Sequence, residues 1–105
     1  MFRVQRIFGV YAPNAFSPND DFSNDRFTLY AQDGVIESIS NLSIYDRWGT
    51  QVFERENFPA SDENMGWNGE FRGESLPPDV YIFKAYVKLV NGDTELITGD
   101  LTLLR

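Results

Sequence analysis

Asn19, Asp21, Ser23 and Asp25 fall on alternate positions of the run PNAFSPNDDFSND, residues 13–25. All four carry side-chain oxygens, and a chain curling around a point brings alternating oxygens onto one hard cation, as calcium loops do. Asn24 tolerates the turned backbone this requires, whereas Phe22 restricts it. The spacing matches the first half of an EF-hand loop, but the twelfth position counted from Asn19 is Tyr30, which offers no bidentate carboxylate. The same residues have an ordinary use, because Asx side chains bond their own backbone and stiffen a corner. Spacing leaves both readings open: a structural corner, or a calcium site as weak as those of extracellular modules, with Kd roughly 10⁻⁴ to 10⁻³ M. No cofactor is required in either case.

The tryptophans form a second group. Exposed tryptophan on a β-sheet stacks on sugar rings, which would suit a calcium-stabilised surface module that contacts glycan or an adhesin partner. Trp67 stands among Gly66, Gly69 and Gly73 and is expected in the core beside a tight turn. Trp48 follows Arg47 at a hairpin tip, where a cation–π contact is feasible. A third group, the carboxylates Asp46, Asp62, Glu63, Glu70, Glu74, Asp79 and Asp100, is scattered. A glycosidase needs only two facing carboxylates across a cleft, but no spacing here selects a pair, and Asp46 and Asp79 flank turns. The absence of cysteine and histidine removes disulfides, thiol nucleophiles, the usual zinc sites and the commonest general base. With no G-x-S-x-G elbow and no P-loop, no catalytic residue is expected and the chain does not read as an enzyme.

Sixteen acidic and nine basic residues give a net charge of −7. Nucleic-acid binding calls for a basic stripe, and Lys84 and Lys88 are the only lysines. No nucleic acid and no anionic membrane surface is therefore expected as a partner. No apolar run is long enough to span a membrane.

The elements that must position these groups are strands. A chain of 105 residues fits one domain, and nine Phe, five Tyr and two Trp suit pleated surfaces. Alternation predicts strands over Phe2–Val10, 26–31, 35–46, 50–55, 67–73, 80–90 and 94–105. Arg47-Trp48-Gly49 has the shape of a three-residue hairpin loop, and Asn91-Gly92 signals a type I′ turn. Residues 56–66 and 74–79 read as connections, and no amphipathic helix of ordinary length is present. The fold class expected is all-β: an immunoglobulin-like β-sandwich of about seven mostly antiparallel strands.

Three stretches together resemble a known family. The opening run is similar to PNAFSPNGDGxND, a signature of the gliding-motility-associated C-terminal domain, the type B sorting domain of the type IX secretion system of Bacteroidota. LSIYDRWGTQVFE (42–54) resembles its IYNRWGxxVFE hairpin, and GWNGEFRGESLPPDVYIFKAYV (66–87) resembles its GWDGxxxGxxxPxGVYxY segment. The LTLLR ending is of the sort these domains carry. The likeness covers about residues 10–105 in the family's order. Two departures stand out: Asp20-Asp21-Phe22 replaces Gly-Asp-Gly, and Pro78-Asp79 replaces Asp-Gly.

The resemblance implies delivery rather than chemistry. Residues 1–105 would be a single C-terminal sorting domain, excised from the end of a larger secreted protein. It would direct an upstream cargo through the outer-membrane machinery and attachment proteins of type IX secretion, to the cell surface or the medium. Extracellular exposure would also supply millimolar calcium to the opening loop. A machine that serves many cargoes needs a rigid tag, and hairpin tips and edge strands offer cargo-independent features. The recognised surface is accordingly expected at Arg47, Trp48 and Gly49, together with a C-terminal edge strand through Leu101, Leu103, Leu104 and Arg105.

Overall fold

A period of two in side-chain polarity produces strands wherever one face can be buried. The computed structural model describes residues 9–18 and 25–104. Its strands in chain order are β1 (Val10–Tyr11), β2 (Ala15–Phe16), β3 (Tyr30–Ala31), β4 (Ile36–Tyr45), β5 (Gln51–Phe58), β6 (Glu70–Phe71), β7 (Glu74–Ser75), β8 (Asp79–Leu89) and β9 (Thr94–Leu103). One sheet is five-stranded, in the order β2-β9-β8-β4-β5, antiparallel throughout except for the parallel pair β2–β9. The ribbons β1–β3 and β6–β7 and a bridge between Phe27 and Trp67 form an irregular second layer. The fold is an all-β sandwich, as expected. Among the described residues the one helical turn is a 3₁₀ turn, Glu63–Met65, capped by Asp62. No helix among them is long and apolar enough to cross a membrane.

β8 organises the core. Its alternate residues Tyr81, Phe83, Ala85 and Val87 are buried, while Ile82, Tyr86 and Lys88 face water. Ile39, Leu42 and Ile44 of β4 pack beside them, although Ile39 and Leu42 stand three apart, out of phase for a flat strand. A register shift between Ile39 and Asn41 against β8 absorbs Ser40 as an extra residue and restores the phase. From the second layer Phe16, Phe27, Leu29 and Trp67 complete the core. Their rings meet at 5.4 Å for Phe16–Trp67, 5.2 Å for Trp67–Tyr81 and 5.1 Å for Phe27–Phe83, within the range of favourable aromatic contacts. Burying each such side chain contributes roughly 1.5–3 kcal/mol. Tyr81 keeps its hydroxyl satisfied by donating to the Pro77 carbonyl four residues back, at 2.9 Å, as the tyrosine corner of antiparallel sandwiches does.

Several local expectations shift. The strand expected over Phe2–Val10 lies outside the described residues except for its last two, of which Val10 pairs in β1. β5 runs on to Phe58, past the ENF read as a connection, because Phe58 has a core site. The 67–73 segment divides into the Trp67 bridge and the β6–β7 ribbon. The ribbon turns on Arg72 (φ 55°) and Gly73 (φ 80°). That pair of positive φ values is the type I′ signature, which had been expected at Asn91-Gly92. The β8–β9 hairpin instead uses a three-residue loop, in which Leu89 N–H donates to Asp93 O (2.8 Å) and Gly92 N–H to Leu89 O (2.9 Å). Asn91 stays out of the left-handed region because its Oδ1 accepts from Asp93 N–H at 2.9 Å, an Asx turn that leaves only Gly92 at positive φ.

Candidate functional site

The β4–β5 hairpin is built in the same way, and it places the tip that the sequence singled out. Asp46 N–H donates to Thr50 O at 2.9 Å and Gly49 N–H to Asp46 O at 3.0 Å. Gly49, at φ 87°, takes the left-handed position that closes the loop. Asp46 Oδ1 accepts from both Trp48 N–H and Thr50 N–H, each at 2.9 Å. Its carboxylate thus fixes the turn from inside, which is the structural task expected of it.

Trp48 projects from this rigid turn with 78% of its surface exposed. The Arg47 guanidinium lies 5.1 Å from the centroid of its ring. The same guanidinium donates through Nε at 3.0 Å and Nη2 at 2.6 Å to Asp79 Oδ2, at the start of β8. Asp79 Oδ1 accepts from Val80 N–H at 2.8 Å, so both carboxylate oxygens are engaged. These contacts, the Arg47 hydrogen bond foremost and the Val80 amide next, hold the Asp79 carboxyl below the ordinary carboxylate range. Beside the tip an open groove of about 580 Å³ is lined by Tyr45, Arg47, Ile82, Phe83, Lys84 and Asp100 among others.

The C-terminal strand arrives at the same end of the sheet. Leu103 is the register partner of Asp79, and Tyr45, the last residue of β4, is that of Ile82. β9 is not an edge there. β2 pairs with Thr102 and Leu103 and takes the outer place, with Thr102 N–H donating to Asn14 O and Leu104 N–H to Phe16 O, both at 2.9 Å. Of the leucines expected at the surface, Leu101 and Leu103 are 1% and 0% exposed. They face inward because they share the parity of Ile97 in the core, so their side chains are not at the surface where the sequence placed them. Leu104, 48% exposed, does face water. Arg105 lies outside the described residues.

Asn19, Asp21 and Ser23 of the calcium loop also lie outside the described residues, and only Asp25 of the four is described, half-buried. Among the described residues no cluster of three metal-ligating side chains occurs. Trp67 is 1% exposed and its Nε1–H donates to Glu70 O at 2.9 Å. A sugar platform using both tryptophans is therefore closed off, and the core role expected of Trp67 is the one it has. Sequence reading missed the partnership of Arg47 with Asp79, since nothing local in Pro77-Pro78-Asp79 points to a residue 32 positions away.

No curated protein matches the chain in sequence. Among solved structures it is similar to the crystal structure of CopC from Methylosinus trichosporium OB3b, with a TM-score of 0.55 and 20% identity over 89% of this chain and 84% of that one. At that identity the likeness is one of fold. The family model of the CHU_C type IX secretion signal domain matches residues 10–103. With nearly its whole length covered, the chain belongs to the type IX secretion signal domain family, and it serves as a sorting signal for export across the outer membrane to the cell surface or the medium.

Proposed function

We propose that the export machinery reads this domain at one end of its sandwich, through the Arg47-Trp48-Gly49 tip and exposed Leu104, with Arg105 included from its place in the sequence alone. The domain carries no catalytic activity of its own and stands at the C-terminal end of a longer chain whose cargo lies upstream. The observation that carries this reading is the exposure of Trp48, 78%, against the burial of the motif aromatics Phe16, Trp67, Tyr81 and Phe83 at 1–3%, with Tyr45 and Phe53 half-buried. Buried motif residues make the sandwich and cannot touch a receptor. An exposed tryptophan on a turn fixed by four hydrogen bonds offers a large, ordered apolar surface that is the same whatever cargo precedes it. Tryptophan is also among the residue types most enriched at interface hot spots, where truncation costs about 2 kcal/mol or more.

The test is export of a periplasmic reporter fused ahead of residues 1–105 in a host with this secretion system. Trp48→Ala should leave the melting temperature of the purified domain unchanged, since the side chain is mostly in solvent, and lower surface display by about tenfold or more. Undiminished display from the folded variant would overturn the reading.

A further inference from the structure

We propose that Asp79 is a positioning residue of the export signal, acting through Arg47 to hold the Trp48 indole in one orientation and to tie the tip to the C-terminal strand. This rests on the reading that the tip is what the machinery contacts. Asp79 is the point where the two halves of that surface join. Its carboxylate takes two hydrogen bonds from Arg47, and its backbone is in register with Leu103, beside exposed Leu104. A guanidinium uses its edge for a carboxylate and its face for an aromatic ring at the same time. Arg47 does both, with its edge on Asp79 and its carbon 5.1 Å from the Trp48 ring centroid.

Stability does not account for the arrangement. The Arg47 side chain is 59% exposed, and exposed ion pairs add little to folding. What the pair changes is freedom. With Arg47 released, Trp48 has no other ring or cation contact among the described residues and rotates about both side-chain torsions. A receptor must then order the indole on binding, and immobilising one such side chain corresponds to roughly a three- to tenfold loss of affinity.

The experiment uses residues 1–105 labelled with 5-fluorotryptophan for fluorine NMR, alongside the export fusion. Trp48→Phe assigns the two resonances. Asp79→Asn and Arg47→Lys should each move the Trp48 resonance toward the solvent-exposed value and leave that of Trp67 in place. The melting temperature should change by less than about 3 °C, and display should fall about three- to tenfold. Asp79→Glu, which keeps a carboxylate within reach, should recover both signals. An unshifted Trp48 resonance in Asp79→Asn overturns the proposal, as does wild-type display from that variant when Trp48→Ala is defective. Wild-type display from Trp48→Ala overturns the tip reading and the export role of Asp79 with it, while the resonance still reports whether Asp79 orients the ring.

Discussion

Replacing Gly66 by Ala separates two reasons for a glycine. Gly66 sits at φ −81°, ψ 173°, extended backbone that alanine adopts freely. On conformational grounds alone the change would stabilise by about 0.4–1 kcal/mol, through a less flexible unfolded chain. Contact opposes it. A Cβ there would lie 2.5 Å from the Phe27 carbonyl oxygen and 3.0 Å from its carbon, about 1 Å inside an ordinary contact. The oxygen cannot retreat freely, since it accepts from Trp67 N–H at 2.9 Å while Phe27 N–H donates to Trp67 O at 2.8 Å. Moving it stretches one or both bonds, at about 0.5–1.5 kcal/mol each, and disturbs two rings at 0% and 1% exposure, at about 1–3 kcal/mol. The steric side wins by about 1–5 kcal/mol. At an unfolding entropy of about 2 cal/mol/K per residue, the melting temperature should drop by about 5–20 °C. Thermal unfolding followed by near-UV circular dichroism measures it, with Gly73→Ala as the comparison. Gly73 has nothing within 4 Å but lies at φ +80°, so its loss should cost about 1 kcal/mol through strain alone. A Gly66→Ala domain that melts at or above the wild-type temperature would refute the steric account of the Gly-Trp pair.

Three further outcomes follow from other parts of the molecule. Gly99→Ala places a Cβ 2.8 Å from Phe83 Cε1; the ring is held in the core, so calorimetry should show a loss of about 1–3 kcal/mol. The Asp79 carboxyl has a folded pKa below its unfolded value, so what its ionised form contributes is complete above the unfolded value and lost as pH falls through the folded one. The Trp48 signal should therefore stay flat from about pH 5 to 8 and change only below about pH 4. Calcium held by Asn19, Asp21, Ser23 and Asp25 with Kd of about 1 mM should add about 1 kcal/mol at 5 mM, raising the melting temperature by about 4–5 °C over chelator. No rise would leave that run a structural corner.

The legible parts of this fold are those that neighbouring residues specify. β8 is visible because four inward and four outward side chains alternate without a break, and the RWG loop because a glycine stands where a left-handed residue must. The Asn91-Gly92 turn was misassigned for a local reason as well, since the Asn side chain captured the next backbone amide and changed the turn type. β4 was read as extended, but the shift that brings Ile39 and Leu42 onto one face appears only when β8 lies beside it. At the candidate site the exposed tip was legible, and the burial of Leu101 and Leu103 was not, because a strand looks like an edge until β2 is found outside it.

By itself the sequence determined the all-β class, the hairpin that presents Trp48 and the family to which the chain belongs, because period-two alternation, turn residues and motif order are properties of adjacent residues. Only the tertiary structure decided that Phe16 of the opening run, Trp67 and Tyr81 pack as one core, and that Arg47 meets Asp79 where the C-terminal strand ends. Those contacts join residues tens of positions apart. They depend on strand order, register and layering, which arise when the hydrophobic faces are buried together and which no local stretch of the chain contains.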